Sequence, residues 1–248
     1  MKALFLLFCL VILHGCSCGC GSGHRNGYLR IGIDPDWIPI NFGSQQAYVN
    51  GFAEDLLLEI ARYSGIEFER VPANWDSLLD GIKEKKYDAV LTSLPPYPFN
   101  LAKYDFSQNF LELGPVLIVP ADGQNTDLHQ MKGELVGLVT GDPAALILQK
   151  YPDVVMRNYP SIPDLLNAVA GGEIEGALLN RIPAVNYVSD LYAGRLKIAS
   201  APMNDAGLRL VAMRGKQELL LRAFDKSIDH FKKKKKFQTL LKKWGLDS

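Results

Sequence analysis

The chain alternates short β-rich runs with helical stripes, and it does so twice, which leaves few folds open to it. In the first round Leu29–Ile33 is a strand, and Ala53–Ser64 carries apolar residues at helical spacing with Gly65 as a C-cap. Glu67–Val71 is the next strand. Asn74 caps a helix burying Leu78, Leu79 and Ile82, and Ala89–Thr92 closes the unit. The second round runs Leu135–Leu138 (strand), a helix opened by Asp142-Pro143, Val154–Arg157 (strand), Ser161–Ala170 (helix) and Gly176–Leu179 (strand). Each β-α-β-α-β round is half of a doubly wound sheet with helices on both faces. The expectation is an α/β chain of two lobes joined near Glu112–Val116. The strand Gly207–Met213 and the helices Lys216–Phe231 and Lys235–Trp244 then return to the first lobe. Lobe one takes 28–113 with 207–248, and lobe two takes 114–206. A ligand cleft between them would lie at the carboxyl ends of the strands.

Lys+Arg and Asp+Glu balance at 27 each, so nothing electrostatic calls for nucleic acid or another highly charged partner. The one charge block, Lys232–Lys236, reads as a solvated face, with contact to anionic lipid as the alternative. The cysteines Cys9, Cys16, Cys18 and Cys20 all precede the body, which therefore has no disulfide framework and no cysteine metal site. Lys2 followed by the apolar Ala3–Leu13 has the form of an export signal, too short to span a bilayer. Leu13-His14-Gly15-Cys16 resembles the bacterial lipobox, in which cleavage precedes a cysteine that receives a lipid. His14 departs from the usual pattern. Residues 1–15 are expected to be a signal peptide, 16–27 a Gly/Ser-rich tether, and Cys16 the lipidation site of an exported, membrane-anchored protein.

The ordered segments Arg30-Ile-Gly-Ile-Asp34-Pro-Asp-Trp37, Gly51-Phe52-x-x-Asp55-Leu56, Trp75-Asp76-Ser-Leu78, Lys86-Tyr87-Asp88-Ala89, Asp105-Phe106-Ser107 and Lys242-Lys243-Trp244-Gly245 resemble family 3 of the bacterial extracellular solute-binding proteins. The resemblance covers about Tyr28 to Gly245. It implies a periplasmic-binding-protein fold, a small polar solute such as an amino acid, an ABC permease as partner, a location outside the cytoplasmic membrane and a monomeric chain. It implies no cofactor, no metal and no catalysis. In that family an arginine after the third strand grips the ligand carboxylate, and an aspartate in lobe two takes the ammonium.

This chain departs there. Counting from Thr92-Ser93 to Phe106-Ser107, the arginine position is Asn100, and a hydroxyl position between is Pro95. Pro143 stands where lobe two usually offers a hydroxyl, and Asn180 replaces the aspartate. Losing both charges together leaves no unpaired partner, so the ligand is expected to be less zwitterionic or to sit in another pose. Arg181, one place beyond Asn180, would restore a cation if the alignment slips by one.

The resemblance puts Asp34 and Trp37 against the ligand's distal group and Phe52 in a stack on it. The bland readings are a turn residue for Asp34 and core packing for the rings. Thr92 and Ser93 end a strand and offer hydroxyl or backbone hydrogen bonds. Tyr97, in the rigid Pro95-Pro96-Tyr97-Pro98 loop, can place a ring over the site. Asn100, Thr140 and Asn180 complete the candidate set, while Asp142 reads as an N-cap. Two other classes fit the fold: a sensing or interaction lipoprotein that has lost transport, and a dehydratase-like enzyme. The missing arginine and the lack of any nucleophile–base motif argue against the enzyme.

Overall fold

The computed structural model describes residues 28–37, 40 and 42–247. The expected signal peptide, the tether and Cys16 lie outside the described residues. In chain order the elements are β1 (Leu29–Ile33), α1 (Gln46–Ser64), β2 (Phe68–Pro72), α2 (Trp75–Lys83), β3 (Ala89–Thr92), α3 (Pro98–Leu101), β4 (Tyr104–Phe106), β5 (Leu111–Glu112) and β6 (Pro115–Pro120). There follow β7 (Leu135–Val139), α4 (Ala145–Leu148), β8 (Val155–Tyr159), α5 (Ile162–Ala170), β9 (Gly176–Asn180), α6 (Arg181–Ser189), β10 (Leu196–Ile198), β11 (Gly207–Met213), α7 (Glu218–Lys233) and α8 (Lys236–Lys243).

Two mixed sheets result. The first has the order β2-β1-β3-β11-β4, with β5 also on β11; the second has the order β10-β6-β9-β7-β8. The two are built alike. β2-β1-β3 and β8-β7-β9 are parallel, as crossover helices require. Each sheet then gains an antiparallel strand, β11 in the first and β6 in the second. Those are the strands that follow the two passages of the chain between sheets, at 113–114 and at 199–206.

Local chemistry explains most elements. α1 lays Val49, Phe52, Leu56 and Ile60 on the first sheet and stops at Gly65, which takes φ 70° and donates its N–H to Ala61 O at 2.9 Å. Asn74 caps α2 through the Ser77 N–H at 3.0 Å, and Ser161 caps α5 through that of Asp164 at 3.2 Å. The lysine run divides α7 from α8 because Lys235 is left-handed at φ 57°, and its side chains are exposed. Two expectations are corrected. α1 begins seven residues earlier than expected, because Gly51 lies inside the helix rather than before it. Asp142 does not cap a full helix: it accepts from the Ala144 N–H at 2.8 Å in a turn, and only the single-turn α4 follows.

Gly51 and the chain's last helix explain each other. A Cβ at Gly51 would stand 2.2 Å from the Trp244 ring. That indole donates its N–H to Asp55 Oδ2 at 2.8 Å, and Lys243 reaches the same oxygen at 2.6 Å. The Gly51/Asp55 and Lys243-Trp244 segments are thus two halves of one clip between α1 and α8. Gly51→Ala should overpack the clip and cost about 1–3 kcal/mol in urea denaturation. The hydrogen bond from Lys243 holds the Asp55 carboxyl below its ordinary pKa, so its stabilisation is present above the unfolded-state pKa and is lost as pH falls through the folded one. Asp55→Asn should cost about 1 kcal/mol at neutral pH, since the pair is partly solvated. The gap to the parent should close in acid.

Candidate functional site

Where β1 and β3 end, alternation puts a row of polar groups on the sheet face that α2 covers. Gly32 faces Tyr87 there, and Gly32 pairs with Val90. Extending that register by two residues along the same face sets Asp34 beside Thr92, and β11 sets Arg209 opposite Thr92. Asp34, Thr92 and Arg209 are each only 3% exposed. Charged groups that deep are uncommon unless paired. Asp34 Oδ1 accepts from the Asp36 N–H at 3.0 Å, but its Oδ2 has no partner among the described residues. Thr92 Oγ1 accepts from the Leu94 N–H at 3.2 Å.

Arg209 is the group that sequence reasoning missed. Its Nη2 donates to Asp205 O at 2.9 Å and to the Asp205 carboxylate, while its buried Nη1 has no partner among the described residues. Burial lowers its pKa, against the opposing pull of Asp205. An orphaned buried N–H costs about 1–3 kcal/mol, so the residue is not explained by packing alone. The sequence signal was a lone cation in an apolar strand, Gly-Leu-Arg-Leu-Val-Ala-Met, on the alternate face from Leu208 and Leu210.

Above this row lies a cavity of about 770 Å³. The loop after β3 contributes Ser93, Pro95, Tyr97 and Asn100; Trp75 stands at the start of α2. Pro143 enters from the second sheet's side, and Asp205 with its neighbours comes from the passage into β11. A second cavity of about 530 Å³ lies between the segment Phe42–Gln45 and α6, lined by Ile182, Asn186 and Tyr187 among others.

The expected site residues divide into three groups. Asp34 and Thr92 lie in the buried row at the strand ends, and Ser93, Tyr97 and Asn100 line the larger cavity beside it. Ser93 Oγ is buried without a partner. Asn100 is nearly buried and spends its amide on its own loop, donating to Pro95 O at 2.9 Å. Tyr97 is 56% exposed beside Phe99, a rim position. Thr140 and Asn180 are exposed at the ends of β7 and β9; Thr140 Oγ1 donates to Tyr159 O at 3.0 Å. Trp37 and Phe52, expected as aromatic walls, are core residues instead. Phe52 is fully buried on α1's apolar stripe, edge-on to Phe237. Trp37 is 1% exposed, donates its indole N–H to Asn50, and holds φ 54°, a costly conformation for a bulky residue. Arg181 borders a separate pocket with Glu112 and Lys232. His129 sits edge-on to Tyr151 and His230 stacks on Tyr63, and neither histidine lines the cavity.

The chain matches the family model of the bacterial extracellular solute-binding proteins, family 3, over residues 29–247. The L-cystine-binding protein TcyJ of Escherichia coli K12 is 25% identical over 224 residues, 89% of this chain and 83% of that protein. The arginine-binding extracellular protein ArtP of Bacillus subtilis is 25% identical over 254 residues, 98% of each. In fold, the L-cystine solute receptor of Neisseria gonorrhoeae, in its unliganded open conformation, superposes with a TM-score of 0.70 at 17% identity, covering 89% of this chain and 94% of that one. The chain belongs to the family 3 extracellular solute-binding proteins, and its fold is that of the two-lobed periplasmic binding proteins.

Thr92→Val should cost about 1–3 kcal/mol in urea denaturation, because the buried Leu94 N–H loses its acceptor. Thr92→Ser, which keeps the hydroxyl, should retain most of that stability.

Proposed function

We propose that this family member captures a small polar solute between its lobes outside the cytoplasmic membrane and delivers it to the permease of an ABC importer. The observation that carries the reading is the cavity of about 770 Å³, whose walls come from the first sheet, from Pro143 beside the second sheet and from the passage that joins them. Such a site is remade whenever the lobes move, so a solute that touches both walls favours the closed form. The lobes divide at the two passages, giving 28–113 with 207–248 and 114–206. The family's relatives supply the solute class: the names of TcyJ and ArtP specify L-cystine and arginine.

Within the site, Asp34 and Thr92 act from the floor, Ser93 and Asn100 from the loop, Tyr97 from the rim, and Thr140 and Asn180 from the opposing lobe. Trp37 and Phe52 support the floor from behind. The chain works as a monomeric receptor without cofactor, and it is held to the membrane by a lipid on Cys16. A binding rather than catalytic role is supported by the family and by the names of its relatives TcyJ and ArtP, both binding proteins.

Calorimetry with L-cystine and the twenty amino acids tests the reading. Binding of one of them at micromolar affinity or better is expected, weakened about tenfold or more by Asp34→Ala. No binding to any would refute it, and unchanged affinity in the variant would return Asp34 to a turn residue. Cys16→Ala should move the protein from the membrane fraction to the soluble one. Retention in the membrane would refute the lipid anchor.

A further inference from the structure

We infer that Arg209 takes over carboxylate binding from position 100, so that the bound solute carries a carboxylate gripped from β11 rather than from the loop after β3. The inference rests on the solute-binding reading above and specifies the ligand within it.

Asn100 cannot serve as a carboxylate clamp: it is neutral, and its amide is used within its loop. Arg209 is a guanidinium whose side chain is only 4% exposed, and it stands opposite Thr92 at the end of β3. Its Nη2 holds Asp205, and Asp205 lines the cavity, so the guanidinium stands directly behind the Asp205 part of the cavity's lining. Its Nη1 is a buried donor with no acceptor among the described residues. A guanidinium presents two parallel N–H groups to a carboxylate, and here one arm of that fork is filled by Asp205 and the other is open.

Asp205 explains how a ligand would gain entry. Its side chain is 70% exposed, and it belongs to the segment that passes between the sheets. It stands in for a ligand carboxylate on the fork and can give way to one as the passage flexes. Asp34, whose Oδ2 is a buried acceptor without a partner, lies on the far side of Thr92 in the same row. The row Asp34-Thr92-Arg209 therefore offers an acceptor for a cationic group and a donor pair for a carboxylate, both within the first lobe. A solute with both charges fits this row in a pose that needs neither Asn100 nor Asn180 to be charged.

The test is calorimetry of the purified chain with L-cystine, L-arginine and the other amino acids, each beside its α-carboxamide. The parent should bind a carboxylate form and discriminate strongly against its amide. Arg209→Lys, which keeps the charge but loses the fork, should weaken the carboxylate form about 30-fold or more and leave the amide nearly unchanged. Asp205→Asn removes the surrogate without touching the strand, so it answers the same question should Arg209 variants fail to fold. It should tighten the carboxylate form severalfold and not the amide. If the parent binds none of these solutes, the solute-binding reading falls and this inference with it. If the parent binds but both variants keep its carboxylate-to-amide ratio, this inference alone is overturned.

Discussion

The pairing of β11 with β3 is the contact on which the rest of the molecule depends. β11 arrives directly from the second sheet, and its antiparallel register with β3 does three things at once. It sets Leu208, Leu210 and Ala212 into the core beneath α1 and α7. It offers its other edge to β4 and β5, completing the first sheet. It also carries Arg209 to the end of β3. A slip of one residue would turn Arg209 into that core and Leu208 or Leu210 out of it, an exchange no folded state could absorb. The register is therefore held by the same alternation that places the buried cation.

The second sheet repeats the device with β6, which pairs antiparallel with β9 just after the outward passage. Each lobe thus receives one strand from the chain's passage between lobes, and the passages end on strands buried in the two cores. In the proposed receptor, flexing is then confined to the short segments at 113–114 and 199–206. Gly114 lies in the first of these, packed so closely on Asn204 that a Cβ would meet its Oδ1 at 2.5 Å. The two passages therefore run side by side, which is the geometry a single hinge axis needs.

Much of this was legible from residue order alone. The alternation of strands and helical stripes located β1, β3, β9 and β11 within a residue or two, and Asn74, Ser161 and Gly65 marked helix ends through ordinary capping chemistry. What stayed hidden has physical reasons. Pro115-Val-Leu-Ile-Val-Pro120 is apolar throughout and shows no period, so the link expected near Glu112–Val116 overlaps the start of β6, which went unassigned. α6 buries Ile182, Ala184 and Val185 without a regular stripe and contains Pro183. Gly51 looked like a helix boundary because its need for a bare Cα comes from Trp244, almost two hundred residues away. In the candidate site, residue order marked Asp34, Thr92 and Asn100 but not the groups they touch. Asn100's hydrogen bond to Pro95, the burial of Trp37 and Phe52, and the depth of Arg209 all follow from packing that no local pattern encodes.

The distribution of charge between the lobes bears on the order of events at the cleft. The first lobe holds the buried charged groups of the site, Asp34 and Arg209, in a row shielded from water. The second offers Thr140, Pro143 and Asn180, which are neutral and exposed. Electrostatic attraction in a dry interior is far stronger than at a wet surface, so on the proposed reading a charged solute gains most of its interaction from the first lobe, before the lobes meet. The second lobe then contributes shape and apolar cover, with exposed Pro143 across the cavity from a loop that exposes Tyr97 and Phe99. Closure on that side removes apolar surface from water, a contribution that accrues only when the lobes are together. In the proposed receptor, specificity for charge and the drive for closure thus rest on different lobes, so the solute would be chosen by one and enclosed by the other.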